Sequence, residues 1–180
     1  MFMGCTSMVT APKLPATNLA NLCYGGMFHG CTSLTTPPSL PATTMKRGCY
    51  SDMFYGCTSL VTPPELPATT LDIECYWNMF ASCTSLVAAP KLPATTLTQW
   101  CYRWMFWGCS SLVKAPELPA EVLVGGCYFD MFASCSNLKL VKASFVEPVK
   151  MYIRHWLDGT SSKGALIRPE NDPDWSNDLL

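Results

Sequence analysis

Charge is scarce along this chain of 180 residues, and what there is cancels: 12 Lys and Arg face 13 Asp and Glu, for a formal net charge of −1. Without a basic face there is no electrostatic footprint for nucleic acid or for an anionic membrane surface. No stretch approaches the roughly 18 consecutive apolar residues that a membrane span needs, so no membrane insertion is expected. Histidine occurs twice, and the cysteines form no Cys-x-x-Cys pair with interleaved His or Asp, which argues against a metal. His155, Asp158 and Ser161 could be drawn as a hydrolytic set, but they share one short segment and no Gly-x-Ser-x-Gly elbow goes with them. No enzymatic activity and no cofactor is expected.

What the chain has in abundance is repetition. Met-Phe recurs at residues 1, 27, 53, 79, 105 and 131, a spacing of 26 that never slips. A fixed period in this range marks units that bury their apolar faces only against their neighbours, as in a solenoid. The constant residues of the template serve the architecture, and the variable ones are free for function.

Cysteine numbers 11, and ten of these fall into pairs on two template positions: Cys5 and Cys23, Cys31 and Cys49, Cys57 and Cys75, Cys83 and Cys101, Cys109 and Cys127. Cys135 opens the sixth copy. Disulfides are one reading. An odd count with the same residue at every coil fits better with a packing ladder, because free Cys behaves as a small, readily buried hydrophobe.

One copy reads as a short strand, a proline-rich turn and a helix of two to three turns. From Leu97 to Gly108, a 100° wheel gathers Leu97, Cys101, Tyr102, Met105 and Phe106 on one half, with Gly108 as a left-handed stop. Thr43 and Thr44, or Thr69 and Thr70, supply capping hydroxyls for the following helix. Val113 to Ala115 is extended, and Pro116 closes it; such strands would stack about 4.8 Å apart as a parallel sheet.

The string Met-Phe-x-Gly-Cys-Thr-Ser-Leu, followed by Pro-x-Leu-Pro-Ala-Thr-Thr-Leu, resembles the BspA-like subclass of leucine-rich repeats from residue 1 to about 142. The segment with His155-Trp156-Leu157-Asp158-Gly159, and later Asp174-Trp175, is similar to the carboxyl-terminal piece that closes such arrays. The resemblance implies an α/β fold, a right-handed leucine-rich-repeat solenoid of about five and a half 26-residue coils with a C-terminal cap. It also implies adhesion or recognition without catalytic residues, and an extracellular or cell-surface location. Residue 1 already occupies a repeat Met, which leaves no room for a signal peptide or an amino-terminal cap. Solenoids need caps, so a neighbouring domain or further repeats upstream of residue 1 are expected.

Six template positions vary freely: the three before Cys-Tyr, the two after it and the one after Met-Phe. On the helical wheel of the fourth copy Gln99, Trp100, Arg103, Trp104 and Trp107 face outward, and only Thr98 falls on the other side. A drifting surface would collect Lys, Glu, Gln and Ser; these slots hold His29, Tyr55, Trp77, Trp100, Trp104, Trp107 and Phe129. Aromatic residues with arginine mark interfaces. Trp100, Trp104 and Trp107, spaced i, i+4, i+7, should lie side by side, with Trp77 adjoining from the coil before. Trp77, Trp100, Arg103, Trp104 and Trp107 are therefore the candidate partner-binding set, with Tyr55 and Phe129 at its rim and His29 as a further contact residue. The strand slots, such as Val61-Thr62 and Val87-Ala88, are small and monotonous by comparison.

Residues 1–138 thus read as the repeat array and 139–180 as a capping segment. Phe145, Val149, Met151, Tyr152, Ile153, Trp156 and Leu157 are expected to cover the open end of the core. Ala165-Leu166-Ile167 would add an edge strand, and Asp172, Asp174 and Asp178 would form a solvated fringe. The function expected is non-enzymatic recognition of a protein or cell-surface glycan through a variable aromatic face. The alternative is a structural spacer or stalk module of a larger adhesin or phage tail protein, in which a sister chain covers the tryptophans.

Overall fold

The computed structural model describes residues 1–145 and 150–167. Its organising contact is a backbone hydrogen bond from each repeat to the next. The amide of Phe2 donates to Met27 O at 3.0 Å, and Phe28, Phe54, Phe80 and Phe106 do the same to Met53, Met79, Met105 and Met131 at 2.9 to 3.0 Å. The 26-residue period of the sequence is therefore one coil of the stack.

Equivalent side chains pile into columns. Phe2, Phe28, Phe54, Phe80, Phe106 and Phe132 stack with centroids 5.6–5.8 Å apart and nearly parallel rings. Tyr24, Tyr50, Tyr76, Tyr102 and Tyr128 make a second column at 5.7–6.0 Å. Offset ring pairs contribute roughly 0.5–1.5 kcal/mol each beyond the area they bury, so the columns reinforce the backbone bonds along the whole stack. The Met and Leu columns fill the space between them.

The segment expected to be a helix is not one. Between Leu97 and Gly108 the chain runs as overlapping tight turns, and the same holds in every copy. Alternate amides (Trp100, Tyr102, Trp104, Phe106, Gly108) donate to the following coil, at Gly125, Cys127, Phe129, Met131 and Ala133. Those between them (Cys101, Arg103, Met105, Trp107, Cys109) donate three residues back within the coil. An α-helix would send every amide four residues back; here half are taken by the neighbour. The backbone turns left-handed at every fourth residue: Trp100, Trp104 and Gly108 in this copy, Gly48, Asp52 and Gly56 two copies earlier. With no helix to cap, the Thr pairs serve otherwise: Thr44 bridges Thr70 in parallel.

The opposite side carries less sheet than expected. Lys114–Leu118 (β1), Leu140–Ala143 (β2) and Ala165–Ile167 (β3) form a parallel sheet in the order β1-β2-β3. Upstream, the strand slots meet only through bridges such as Thr10 to Thr36 and Ala88 to Lys114. Pro38, Pro64 and Pro90 stand where a ladder amide would be needed, and proline has none to donate. Pro116 stands in the same slot within β1, and the register shifts there between Lys114 and Glu117. In β2 the equivalent residue is Lys142, and pairing to β3 is regular.

Lys150–Ile153 (α1) is the one α-helix among the described residues, and none there is long and apolar enough to cross a membrane. The chain after it takes the place of a coil. Carbonyls of Tyr152, Arg154, Trp156 and Asp158 accept from Tyr128, Asp130, Phe132 and Ser134, so these four donors of the last row are satisfied. Phe145 meets the tyrosine column and Trp156 the phenylalanine column, and the two rings touch at 5.7 Å. Met151, expected to help cover the core, is 65% exposed. Val149, Asp172, Asp174, Trp175 and Asp178 lie outside the described residues.

All eleven cysteines are free; Cys5 and Cys23 are exposed and the other nine are buried. One column does more than fill space. The thiols of Cys31, Cys57, Cys83, Cys109 and Cys135 each donate to the Phe carbonyl one coil back, at 3.0–3.1 Å. A methyl could fill that volume but could not donate, which gives cysteine a reason at this slot. Under native conditions at pH 8 a thiol reagent should therefore label two cysteines, and all eleven only in denaturant. Fast native labelling of more than two would contradict the buried ladder.

Burial pushes these thiols upward: Cys49 and Cys127 to about 11, Cys57, Cys101 and Cys135 to about 12. In the unfolded chain a thiol ionises near 8.5, so above that pH the unfolded state has lost protons that the folded state keeps. Stability is intact below about pH 8.5 and falls as pH rises toward the folded values, by about 1.4 kcal/mol per pH unit for each protected thiol. Circular dichroism in reductant should show cooperative unfolding between about pH 9 and 11, reversed on neutralisation. A fold unchanged at pH 12 would show that the thiols do not set alkaline stability.

Candidate interaction surface

Because the ribbon repeats every four residues, its side chains alternate two in and two out. Cys101 and Tyr102 are buried, as are Met105 and Phe106; Arg103, Trp104, Trp107 and Gly108 lie outward. The inner and outer sets are those read from the helical wheel, although the backbone differs. The neighbours within the outer set change, however. Residues 100, 104 and 108 now fall in one row along the coil, and 99, 103 and 107 in another.

Four outward residues come together around Arg103. Its guanidinium carbon lies 4.3 Å from the Trp104 ring centroid, 4.8 Å from that of Phe129 and 5.9 Å from that of Trp100. Trp77 joins from the preceding coil, tilted 35° to Trp104 with centroids 6.1 Å apart. Trp77, Trp100, Arg103, Trp104 and Phe129 are all half-buried, so they pack on one another as well as facing solvent. Phe129, expected at the rim, is part of the cluster.

Trp107 stands apart. It is 40% exposed, no ring contact joins it to the cluster among the described residues, and Ala81 and Ala133 occupy its slot in the flanking coils. It belongs to the other row, which is why the i, i+4, i+7 expectation fails. Tyr55 is separate too: it stacks on His29 at 4.7 Å with rings 4° from parallel. In their shared slot, Ala81 lies between Tyr55 and Trp107.

Residues that the sequence reading passed over hold the cluster in place. Trp104 Nε1 donates to Asp130 Oδ2 at 2.8 Å, and this bond reaches across to the next coil. Trp100 lies against Gly126, where a Cβ would sit 2.7 Å from its Cδ1. Asp130 shares its slot with Gly26, Asp52 and Asn78, and Gly126 shares its slot with Gly48. Gly, Asp and Asn are the residues that tolerate left-handed backbone, and their recurrence every four residues was the available signal.

Against that pattern Trp104 adopts φ +56°, as does Trp100, whose slot also holds Leu22 at +58° and Glu74 at +59°. Left-handed backbone costs a residue with a bulky side chain roughly 1–2 kcal/mol, and such outliers collect where a surface is used. Trp77 Nε1 and Arg103 Nε are also buried without a hydrogen-bond partner. In the tyrosine column beneath, the hydroxyls of Tyr50 and Tyr76 are unpaired as well.

A concavity of about 650 Å³ lies on the proline side, between the Pro90 and Pro116 turns, with Lys91, Lys114 and Glu117 at its wall. Glu117 there pairs with Lys142 at 3.2 Å, both exposed.

Comparison with protein-family models, with curated proteins and with solved structures finds no match for this chain.

Gly126→Ala tests how tightly the cluster is seated. Gly4→Ala is its control, since Gly4 has a similar left-handed φ of +72° but nothing within 4 Å of an added Cβ. The control should lose about 1 kcal/mol from backbone strain. Gly126→Ala should lose about 1–3 kcal/mol more, because Trp100 must move, and its tryptophan emission should shift. Equal losses in thermal unfolding would mean that Trp100 does not rest on Gly126.

Proposed function

We propose that this chain is a non-enzymatic recognition scaffold, a solenoid of the leucine-rich-repeat type that presents a variable aromatic face to a protein or cell-surface glycan. The observation that carries this reading is the placement of Trp104 on left-handed backbone. At this slot the other coils have Gly26, Asp52, Asn78 and Asp130, all residues suited to it. Stability alone would favour such residues there, so a tryptophan at that slot is better accounted for by what it contacts. The concentration of Trp77, Arg103, Trp107 and Phe129 on the same outer face supports the same reading. So does the contrast with the exposed strand slots, which repeat Val at 9, 61, 87 and 113. An extracellular or cell-surface setting belongs to this proposal.

A spacer whose tryptophans are covered by a sister chain predicts different solution behaviour. Sedimentation of the recognition scaffold should give a monomer. Acrylamide should quench a large share of its tryptophan emission, led by Trp107 at 40% exposure. A stable oligomer with protected emission, restored to monomer by Trp107→Ser, would sink the recognition reading in favour of the spacer.

A further inference from the structure

Arg103 is the charge around which the aromatic side chains gather, and it has no counter-ion among the described residues. Three rings surround it at 4.3, 4.8 and 5.9 Å. Its Nε is buried without an acceptor, while the two Nη groups make no hydrogen bond there and keep contact with solvent. Carboxylates in nearby slots are already engaged. Glu74 meets Arg47 at 3.5 Å, Asp130 accepts from Trp104 Nε1 at 2.8 Å, and Asp52 accepts from Asn78 Nδ2 at 3.0 Å.

A guanidinium held among rings, with both Nη groups open to solvent, can make a two-bond fork to a planar carboxylate. Ring faces carry negative potential, so the indoles beside it attract the polarised C–H bonds on one face of a pyranose. A stable protein interface takes about 20–30 residues a side, more than this cluster and its small flanking residues offer. A sugar ring bearing a carboxylate matches both the scale and the chemistry. We propose that Trp100, Arg103, Trp104 and Phe129 form a subsite for a polysaccharide containing uronic acid. The carboxylate sits on the Arg103 Nη groups and the sugar face on an adjacent indole, with Asp130 holding the Trp104 ring in position. This rests on the recognition face proposed above.

Affinity electrophoresis of the full chain tests the subsite with three polymers: polygalacturonate, its fully methyl-esterified form and poly-glutamate. Polygalacturonate should retard the chain, and the ester and poly-glutamate should not. Arg103→Gln should weaken retention about tenfold, and Arg103→Lys should restore only part of it, since ammonium lacks the planar fork. Unfolding midpoints of the variants separate lost binding from lost fold. Native retention by Arg103→Gln, or retention by the ester, would overturn the carboxylate assignment. If Trp100→Ala/Trp104→Ala still abolished binding in that case, the aromatic face itself would stand; if binding survived that double substitution, the face would fall as well. Equal retardation by poly-glutamate would replace the sugar with an acidic peptide, and retardation by none of the three overturns the subsite.

Discussion

Half of the amides in the turn ribbon are committed to the coil that follows, and the rest of the structure depends on that commitment. A donor such as Phe28 finds its acceptor 25 residues ahead at Met53. An inserted or deleted residue would leave a row of buried polar groups unpaired, each costing about 1–3 kcal/mol. It would also slide every Phe, Tyr and Cys out of its column. Ring stacks, thiol-to-carbonyl bonds and backbone bonds thus enforce one repeat length together, and a period that never slips follows.

The same commitment shapes the outer surface. Sending alternate amides across to the next coil requires a left-handed residue at every fourth position, and these positions point outward in rows. Glycine, aspartate and asparagine occupy many of them at little cost. Trp104 does not fit that economy, nor do Trp100, Leu22 and Glu74 in a second slot, and the two tryptophans both border Arg103. Strain, an uncompensated guanidinium and an unpaired indole nitrogen on Trp77 coincide on one patch. Unpaired hydroxyls occur in the core too, at Tyr50 and Tyr76, so it is the gathering of these features around one charge that makes the patch a candidate for function.

Much of this is legible in the sequence. Constancy at Cys101, Tyr102, Met105 and Phe106 against variability at Arg103, Trp104 and Trp107 separates inside from outside, whatever the backbone does. Cysteine at every coil reads as a ladder, although its thiol-to-carbonyl bonds do not. The backbone itself was misread. Over a dozen residues a period of 3.6 and one of four sort the same side chains to the same faces, so a helical wheel cannot tell them apart. What differs is which outward residues adjoin. The helical spacing groups Trp107 with Trp100 and Trp104, whereas the fourfold ribbon places it in the row of Arg103 and leaves it alone between Ala81 and Ala133.

The sequence by itself determined the coil length, the columns of the core and the list of outward residues, because those are properties of spacing along the chain. Only the tertiary structure decided which of the outward residues meet. Trp77 reaches Trp104, Trp104 reaches Asp130 and Trp100 settles on Gly126 across neighbouring coils. Such contacts depend on how far one coil is offset from the next. That offset is set by where the alternate amides find their acceptors, a choice between partners four residues back and 25 residues ahead that local pattern does not reveal.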